Sequence, residues 1–136
     1  MNLEALKQFL SEIFAPMVVQ MGIEPVEITE SGARFRVSRN TYIERTDGIV
    51  CGQAISSISD TVGVLALCAH NSPQRMMTTV DMTTHFMRPL KSEGMNVEVF
   101  ILSNGRRMAT VRIEIRQPES GKLVSSSTCA YAYVSE

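Results

Sequence analysis

The stretch that decides the fold is CGQAISSISDTVGVLALCAH, residues 51–70. Its apolar residues recur every three or four positions, which predicts a helix with one broad buried face. These residues are Ala54, Ile55, Ile58, Val62, Leu65, Ala66 and Ala69, with Val64 and Leu67 widening the face. Because a helix that is apolar nearly all round must be covered nearly all round, we expect it at the centre of the fold. Asp60 lies halfway along it, and a carboxylate there needs either a partner or a chemical task.

The flanking segments predict one further helix and a set of strands. NLEALKQFLSEIF (2–14) has a helical period that ends near Pro16, and IEPVEIT (23–29) with ARFRVSR (33–39) predicts a hairpin. Four longer alternating segments follow the central helix, and we expect Val80, Met82, Val97, Val99, Ile101, Val111, Ile113 and Ile115 to point inward. Short turns between these segments favour antiparallel pairing. The sequence therefore predicts one α+β domain over residues 1–136, a long antiparallel sheet curled around one central helix.

Composition excludes several classes of protein. A net charge of −1 over 136 residues gives no reason to expect nucleic acid or an anionic membrane as partner. The three cysteines form no CxxC pair and there are only two histidines, so no metal-ligand cluster is expected. Scattered cysteines favour a reducing cytoplasm. Glu4 and Lys7 argue against a signal peptide, and no apolar run approaches the ~18 residues of a membrane span.

Segments 47–61, 78–89, 104–115 and 120–131 together resemble a known family, the hotdog-fold acyl-CoA thioesterases of the phenylacetate-degradation type. DGIVCGQAISSISDT (47–61) is similar to the family's Gly-x-x-His-Gly-Gly followed by an acidic residue on the helix. TTVDMTTHFMRP (78–89) resembles the family's next strand, and NGRRMATVRIEI (104–115) with SGKLVSSSTCAY (120–131) resembles its last two strands. The order and spacing of the four segments are more specific than any one of them. The resemblance covers almost the whole chain and implies the hotdog fold.

The resemblance also implies roles for individual residues. Gly48 matches the glycine before the helix, and Gly52 matches the family's first helix glycine, whose backbone N–H polarises the thioester carbonyl. Asp60 matches the helix carboxylate that acts as nucleophile or general base. Thr78 or Thr79 lies where a Ser or Thr often positions that carboxylate's water.

Three positions depart from the family pattern. Cys51 stands in place of the family's His, Gln53 in place of its second Gly, and Arg45 where many members have Asn. We expect Gln53 to orient the carbonyl or the carboxylate, and Cys51 to be either a small buried residue or a reactive thiol. Purely structural roles stay open as alternatives at this point. Gly52 could only start the helix, and Asp60 could only pair with a buried Arg or bond a backbone group.

The spacing of Gly52 and Asp60 has a consequence of its own. A helix N-terminus offers unpaired N–H groups and a partial positive charge, and a glycine there lets a carbonyl approach the backbone. Gly52 and Asp60 are separated by ~12 Å along the helix axis, so one carbonyl cannot touch both in one chain. If both act, Asp60 must come from a second subunit whose helix runs antiparallel, which predicts a two-fold oligomer with composite sites. The family's dimers and dimers of dimers agree with this.

The resulting hypothesis is an acyl-CoA thioesterase that needs no metal or redox cofactor. Coenzyme A carries phosphates, and Arg88, Lys91, Arg106 and Arg107 are candidates for the rim that binds them, although ordinary turn solubility is the slightly favoured explanation of Arg106 and Arg107. One alternative is a catalytically silent acyl-CoA-binding or regulatory protein, which the departures from the family pattern motivate. Another is a hotdog hydratase or dehydratase, which is disfavoured because Asp47 has no following His. The acyl group, the choice of dimer or tetramer, and the role of Asp60 as base or nucleophile stay open.

Overall fold

The computed structural model of the chain describes residues 1–91 and 93–134. Two helices precede the sheet, α1 (Leu3–Ile13) and the short α2 (Pro16–Val19), and the long helix is α3 (Gly52–His70). The strands are β1 (Ile23–Ile28), β2 (Gly32–Val37), β3 (Met77–Phe86), β4 (Met95–Asn104), β5 (Met108–Arg116) and β6 (Leu123–Tyr133). A single 3₁₀ turn at Thr41–Ile43 lies between β2 and α3.

The six strands form one antiparallel sheet in the order β1-β2-β4-β5-β6-β3. The predicted antiparallel pairing of the four long strands is confirmed. However, β3 pairs with β6 rather than with β4, which follows it in the chain. This places β3 at one edge of the sheet, where its second backbone edge has no partner strand among the described residues.

The predicted central helix is confirmed, because α3 packs against the sheet and supplies much of the core. Ile58, Val62 and Leu65 are completely buried, and Leu6 and Leu10 of α1 belong to the same cluster. On the sheet, the predicted inward residues are buried on β4 and β5: Val97, Val99, Val111, Ile113 and Ile115. The architecture is the α+β hotdog arrangement that the sequence predicts, a curled antiparallel sheet with one central helix.

The prediction that Val80 points into the core is wrong. Val80 is 57% exposed because a bulge between Thr79 and Asp81 inserts one residue into the β3–β6 register and turns that side chain outward. A second bulge between Ile101 and Ser103 leaves Ile101 only half-buried. Met82, beyond the first bulge, packs against the core as predicted.

Helix α3 is long and apolar enough to cross a membrane by length and mean hydropathy alone, but 61% of the relevant window is buried inside the fold. Core helices of globular domains pass the same test. The packing of α3 against the sheet accounts for its apolar composition, since an apolar helix can be covered by protein as well as by lipid.

Candidate functional site

The Asp60 carboxylate is held by a hydroxyl rather than by a cation. The Thr79 hydroxyl of β3 donates a hydrogen bond to Asp60 Oδ1 at 2.8 Å, and the Asp60 side chain is half-buried. Within residues 1–91 and 93–134, no ion pair of 4 Å or less includes Asp60. The alternative in which a buried Arg neutralises the Asp60 carboxylate is therefore not observed in this chain. The second oxygen of Asp60 is available for another partner.

The backbone of Asp60 is fixed by a residue that sequence analysis missed. The Tyr131 hydroxyl donates to the carbonyl oxygen of Asp60 at 2.9 Å, and burial raises the pKa of Tyr131, so that this hydroxyl stays protonated. Gly63, one turn further along α3, makes room for it, since a Cβ at that position would lie 2.2 Å from the Tyr131 oxygen. A glycine inside an otherwise strong helix was the available signal, because it indicates a close approach by another element.

The N-terminus of α3 is open toward a groove. Cys51 is the N-cap residue, but its side chain makes no capping bond. The helix's first intrahelical bond runs from the Ile55 N–H to the Cys51 carbonyl, which leaves the Gly52 N–H without an intrahelical acceptor. A groove of about 490 Å³ runs past Gly52 and is lined by Phe86 and Arg88, among others. The partial positive charge of the helix end therefore faces a space that an acyl carbonyl fits.

A tight turn precedes α3 and accounts for Gly48 and Arg45. The Gly48 N–H donates to the Arg45 carbonyl at 2.9 Å, and Gly48 has φ +82°, a conformation that favours glycine. Asp47 accepts from the Ile49 N–H at 3.2 Å and from the Arg45 guanidinium. The hydrogen bond with Arg45 lowers the pKa of Asp47, and the same bond raises the pKa of Arg45. Gly48 thus shapes the approach to the helix, and Arg45 is engaged with Asp47 on the rim of the groove.

The other predicted site residues are distributed between two ends of α3. Gln53 is exposed beside Gly52, and Arg88 lies on the same groove. Thr78 alternates with Thr79 along β3 and so lies on the face of the sheet away from α3. Arg106 and Arg107 line a separate groove of about 610 Å³ near the opposite end of α3, together with Arg75, whose guanidinium carbon lies 3.4 Å from the centre of the Tyr133 ring.

Hydroxyl side chains near Asp60 are used mainly within the fold. The Ser59 hydroxyl donates to the Ile55 carbonyl and the Thr61 hydroxyl to the Ser57 carbonyl, both at 2.8 Å. Ser127 of β6 links Ser59 at 3.4 Å to Thr84 of β3 at 2.9 Å. The bonds of Ser127 link α3 to β6 and β3, whereas the bonds of Ser59 and Thr61 to carbonyls stay within α3. The Thr79 hydroxyl is the side-chain partner of Asp60.

Comparison with protein families matches the model of the thioesterase superfamily over residues 47–124. The matched segment is more than half of the chain and contains both Gly52 and Asp60. A search of curated proteins finds no match.

Solved structures with the same fold cover nearly the whole chain. A thioesterase of Haemophilus influenzae superposes with a TM-score of 0.88 at 22% identity, covering 98% of this chain and 91% of its own. A mutant thioesterase of Pseudomonas aeruginosa gives 0.87 at 16% identity, covering 98% and 94%. The zebra fish thioesterase superfamily member 2 gives 0.86 at 15% identity, covering 98% and 99%. At these identities the similarity establishes the fold.

Proposed function

The chain belongs to the thioesterase superfamily and is a thioester hydrolase, and we propose that it hydrolyses acyl-CoA thioesters at a site shared between two subunits. In this proposal, the Gly52 N–H of one subunit binds the thioester carbonyl oxygen. The Asp60 carboxylate of the other subunit acts as the general base that deprotonates water, or as the nucleophile. Gln53 orients the carbonyl or the carboxylate. One water is consumed, the acyl C–S bond breaks, and the coenzyme A sulfur leaves as the thiol.

The observation that carries the proposal is the state of the Asp60 carboxylate. Asp60 is bonded by Thr79 at 2.8 Å and has no cation within 4 Å among the described residues. The second oxygen of Asp60 has no partner among the described residues, so a water molecule can approach it and give up its proton. A backbone N–H at the start of α3 supplies the other requirement of acyl transfer, a donor for the developing oxyanion.

The two groups lie on one helix, which is why the proposal requires a second subunit. Gly52 begins α3 and Asp60 lies eight residues further on, slightly more than two helical turns, which is a separation of ~12 Å along the axis. A two-fold axis that sets two copies of α3 antiparallel and passes near Ser56, midway between the two residues, would place Gly52 of each copy next to Asp60 of the other. Each dimer then contains two identical composite sites.

The sheet edge at β3 supports such a pairing. β3 is ten residues long, has no partner strand on its outer side among the described residues, and exposes Val80 and Phe86 by more than half. Long exposed edges with apolar side chains pair readily with another strand. Thr79 lies beside Asp60 at one end of β3, and Phe86 lies 3.5 Å from a Cβ built on Gly52 at the other. Antiparallel pairing about the middle of β3 therefore supports the alignment that the chemistry needs.

Basic residues on both grooves are candidates for binding the coenzyme A phosphates. Arg88 lines the groove that passes Gly52, and Arg106 with Arg107 lines the groove near the other end of α3. Guanidinium groups are well suited to phosphate because they donate two parallel hydrogen bonds. Inhibition by free coenzyme A distinguishes the two sets: the variant Arg88→Gln weakens it if the first groove is used, and Arg106→Gln with Arg107→Gln weakens it if the second is used.

The decisive experiment measures thiol release from a panel of acyl-CoAs by wild type and Asp60→Asn at matched oligomeric state. We expect wild type to turn over at least one substrate and Asp60→Asn to lose at least ~100-fold in kcat, the range of an acid–base group. If wild type binds acyl-CoA and never releases thiol, and Asp60→Asn binds equally, the chain is the catalytically silent acyl-CoA-binding protein that the departures at Cys51, Gln53 and Arg45 motivate.

A complementation experiment tests the composite site directly. Gly52→Pro removes the proposed N–H donor at the first helical position, where proline is tolerated, and Cys51 before it already has the extended ψ of 151° that proline prefers. Gly52→Ala keeps the N–H and is the matched control. Co-expression of Gly52→Pro with Asp60→Asn leaves one intact site in each mixed dimer, so about a quarter of wild-type activity returns. If the two inactive variants stay inactive together, the shared site is excluded.

The proposal also covers assembly, subtype and location. We propose a homodimer or a dimer of dimers of single hotdog domains over residues 1–136, of the phenylacetate-degradation type. A cytoplasmic location is supported by the three cysteines, all of which are free thiols, as is usual in a reducing compartment.

A further inference from the structure

A large apolar cavity begins at Val64, one turn of α3 beyond Asp60, and takes no part in the chemistry proposed above. It has a volume of about 690 Å³ and is bounded by the end of α1, the second half of α3 and the start of β3. Its walls include Phe9, Phe14, Val64, Cys68 and Met77. The volume falls within the range of small-molecule sites, which are mostly apolar clefts of ~300–1,000 Å³.

The cavity continues from the position of Asp60 along α3 and β3. Val64 follows Asp60 by four residues and Cys68 by eight, so all three lie along one side of α3. On β3, Met77 precedes Thr79 by two residues, and the alternation of side chains puts both on the face toward α3. An acyl group whose carbonyl carbon sits at Asp60 therefore meets Val64 and Met77 within ~5–7 Å, one helical turn or one strand repeat away.

We propose that this cavity is the acyl-binding pocket and that the enzyme acts on medium-chain acyl groups, of about eight to twelve carbons. This inference rests on the proposed function, because it takes Asp60 as the position of the reacting carbonyl. The length follows from α3, since Asp60 and Cys68 are ~12 Å apart along the axis. An extended chain advances ~1.2 Å per bond, so about ten carbons span that distance.

The walls explain why the occupant is an unbranched apolar chain. Phe9 and Phe14 meet edge to face with ring centroids 5.7 Å apart and form one end of the cavity. Cys68 is buried, and burial raises the pKa of its thiol, so that wall is uncharged. The polar groups of the lining are Gln74 and Arg75, which border the neighbouring groove as well, and the α-ammonium of Met1, which donates to the Cys68 and Ala69 carbonyls. Gln74 is bonded to the Cys68 and Asn71 carbonyls, and Arg75 to the Gly105 and Arg106 carbonyls, so both side chains are already engaged.

The test is a chain-length series of acyl-CoAs from two to sixteen carbons, with kcat/KM measured for wild type, Val64→Phe and Val19→Phe. Each methylene that enters the cavity raises kcat/KM by about fourfold, until the cavity is filled near ten carbons. Val64→Phe fills the entrance beside Asp60, so we expect the ratio of decanoyl-CoA to butyryl-CoA to fall by at least ~30-fold. Val19→Phe, the same change on exposed α2 and outside the cavity, leaves the ratio unchanged.

Two results overturn the inference while leaving the thioesterase activity in place. One is a Val64→Phe profile that matches wild type in kcat/KM at every acyl length. The other is an equal loss for every acyl length, which assigns the cavity to the coenzyme A arm instead. Loss of all turnover in wild type is the failure of the proposed function, and it is a different observation.

A binding measurement on wild type does not depend on turnover or on the folding of a variant. S-decyl-CoA and S-ethyl-CoA are thioethers that cannot be hydrolysed, and calorimetric titration gives their dissociation constants. We expect S-decyl-CoA to bind at least ~100-fold more tightly, since several of its additional methylenes enter the cavity. Equal affinity for the two thioethers refutes the pocket.

Discussion

The contact between Gly63 and Tyr131 supports a prediction in which one substitution rescues another. Gly63→Ala places a methyl group 2.2 Å from the Tyr131 oxygen, 3.1 Å from its Cζ and 3.2 Å from Val111 Cγ2. Tyr131 and Val111 are both completely buried, so neither can move aside into solvent. The tyrosine hydroxyl must therefore leave its hydrogen bond to the Asp60 carbonyl, or α3 must shift away from the sheet.

The magnitude follows from three contributions. Overpacking a filled core costs about 1–3 kcal/mol, and the lost hydrogen bond costs about 1 kcal/mol. Alanine is favoured over glycine inside a helix by about 1 kcal/mol, which offsets part of this. We expect Gly63→Ala to lower the free energy of unfolding by about 1–3 kcal/mol. For a chain of 136 residues the midpoint of thermal unfolding then falls by roughly 4–10 °C.

The partner substitution makes the explanation specific. Tyr131→Phe removes the oxygen that the new methyl group meets and costs about 1 kcal/mol through the same hydrogen bond. In that background the new methyl group of Gly63→Ala has only the contacts of 3.1 Å with the ring at position 131 and 3.2 Å with Val111 to relieve. The helix preference of alanine over glycine compensates for the cost of these contacts. The double variant should be as stable as Tyr131→Phe alone, with a coupling of about 1–3 kcal/mol between the two sites.

The assay is chemical denaturation of wild type, both single variants and the double variant, at one protein concentration, because the stability of the proposed oligomer would depend on concentration. Additive effects of the two substitutions, within about 0.5 kcal/mol, would refute the reasoning. A Gly63→Ala variant at least as stable as wild type would refute it as well, since the helix preference of alanine would then equal or exceed the cost of the contact with Tyr131.

Three further predictions concern Thr79, Asp47 and the cysteines. Thr79→Val removes the donor to the Asp60 carboxylate, so kcat should fall about tenfold, and Thr79→Ser should restore it; equal rates contradict the proposed role. The lowered pKa of Asp47 stabilises the fold above its unfolded pKa, and this contribution disappears as pH falls below ~4; a pH titration of stability should therefore be flatter for Asp47→Asn. Burial raises the pKa of Cys129 to about 11, so at pH 8 a thiol reagent should modify half-buried Cys51 rapidly and reach Cys129 only on unfolding. A Cys51→Ser variant that is still modified rapidly in the folded state contradicts this.

The parts of the fold that depend on local periodicity could be predicted from the sequence. The three- and four-residue spacing over residues 51–70 predicts α3, and alternation predicts the buried positions of β4 and β5. The pairing of β3 with β6 could not be predicted, because no local signal specifies which non-adjacent strands pair. The outward turn of Val80 has the same cause, since the bulge exists only in the register with β6.

The residues of the candidate site also divide into those that local sequence patterns predict and those that depend on tertiary contacts. Asp60 is recognisable because a carboxylate on an apolar helix face is an exception to a pattern, and Gly52 because it starts that helix. Thr79, rather than Thr78, becomes the partner of Asp60 only through the phase of β3 against the helix. Tyr131 and the apolar cavity depend on contacts between elements far apart in the chain, so Gly63 was the one local indication of either.

The composition of α3 is better explained by the proposed assembly than by one chain. In the single chain, Ala54, Ile58 and Leu65 are buried by the sheet, whereas Gln53, Asp60 and Val64 remain partly or fully open. That open side contains Asp60 and leads into the apolar cavity, and the N-terminal donor at Gly52 lies two turns away on the same helix. One helix thus supplies a donor, a carboxylate and a pocket wall at positions that no single carbonyl reaches together in one chain. In the proposed dimer, antiparallel pairing of two such helices would bring the donor of one to the carboxylate and proposed pocket of the other, so assembly and catalysis would impose the same requirement on the sequence.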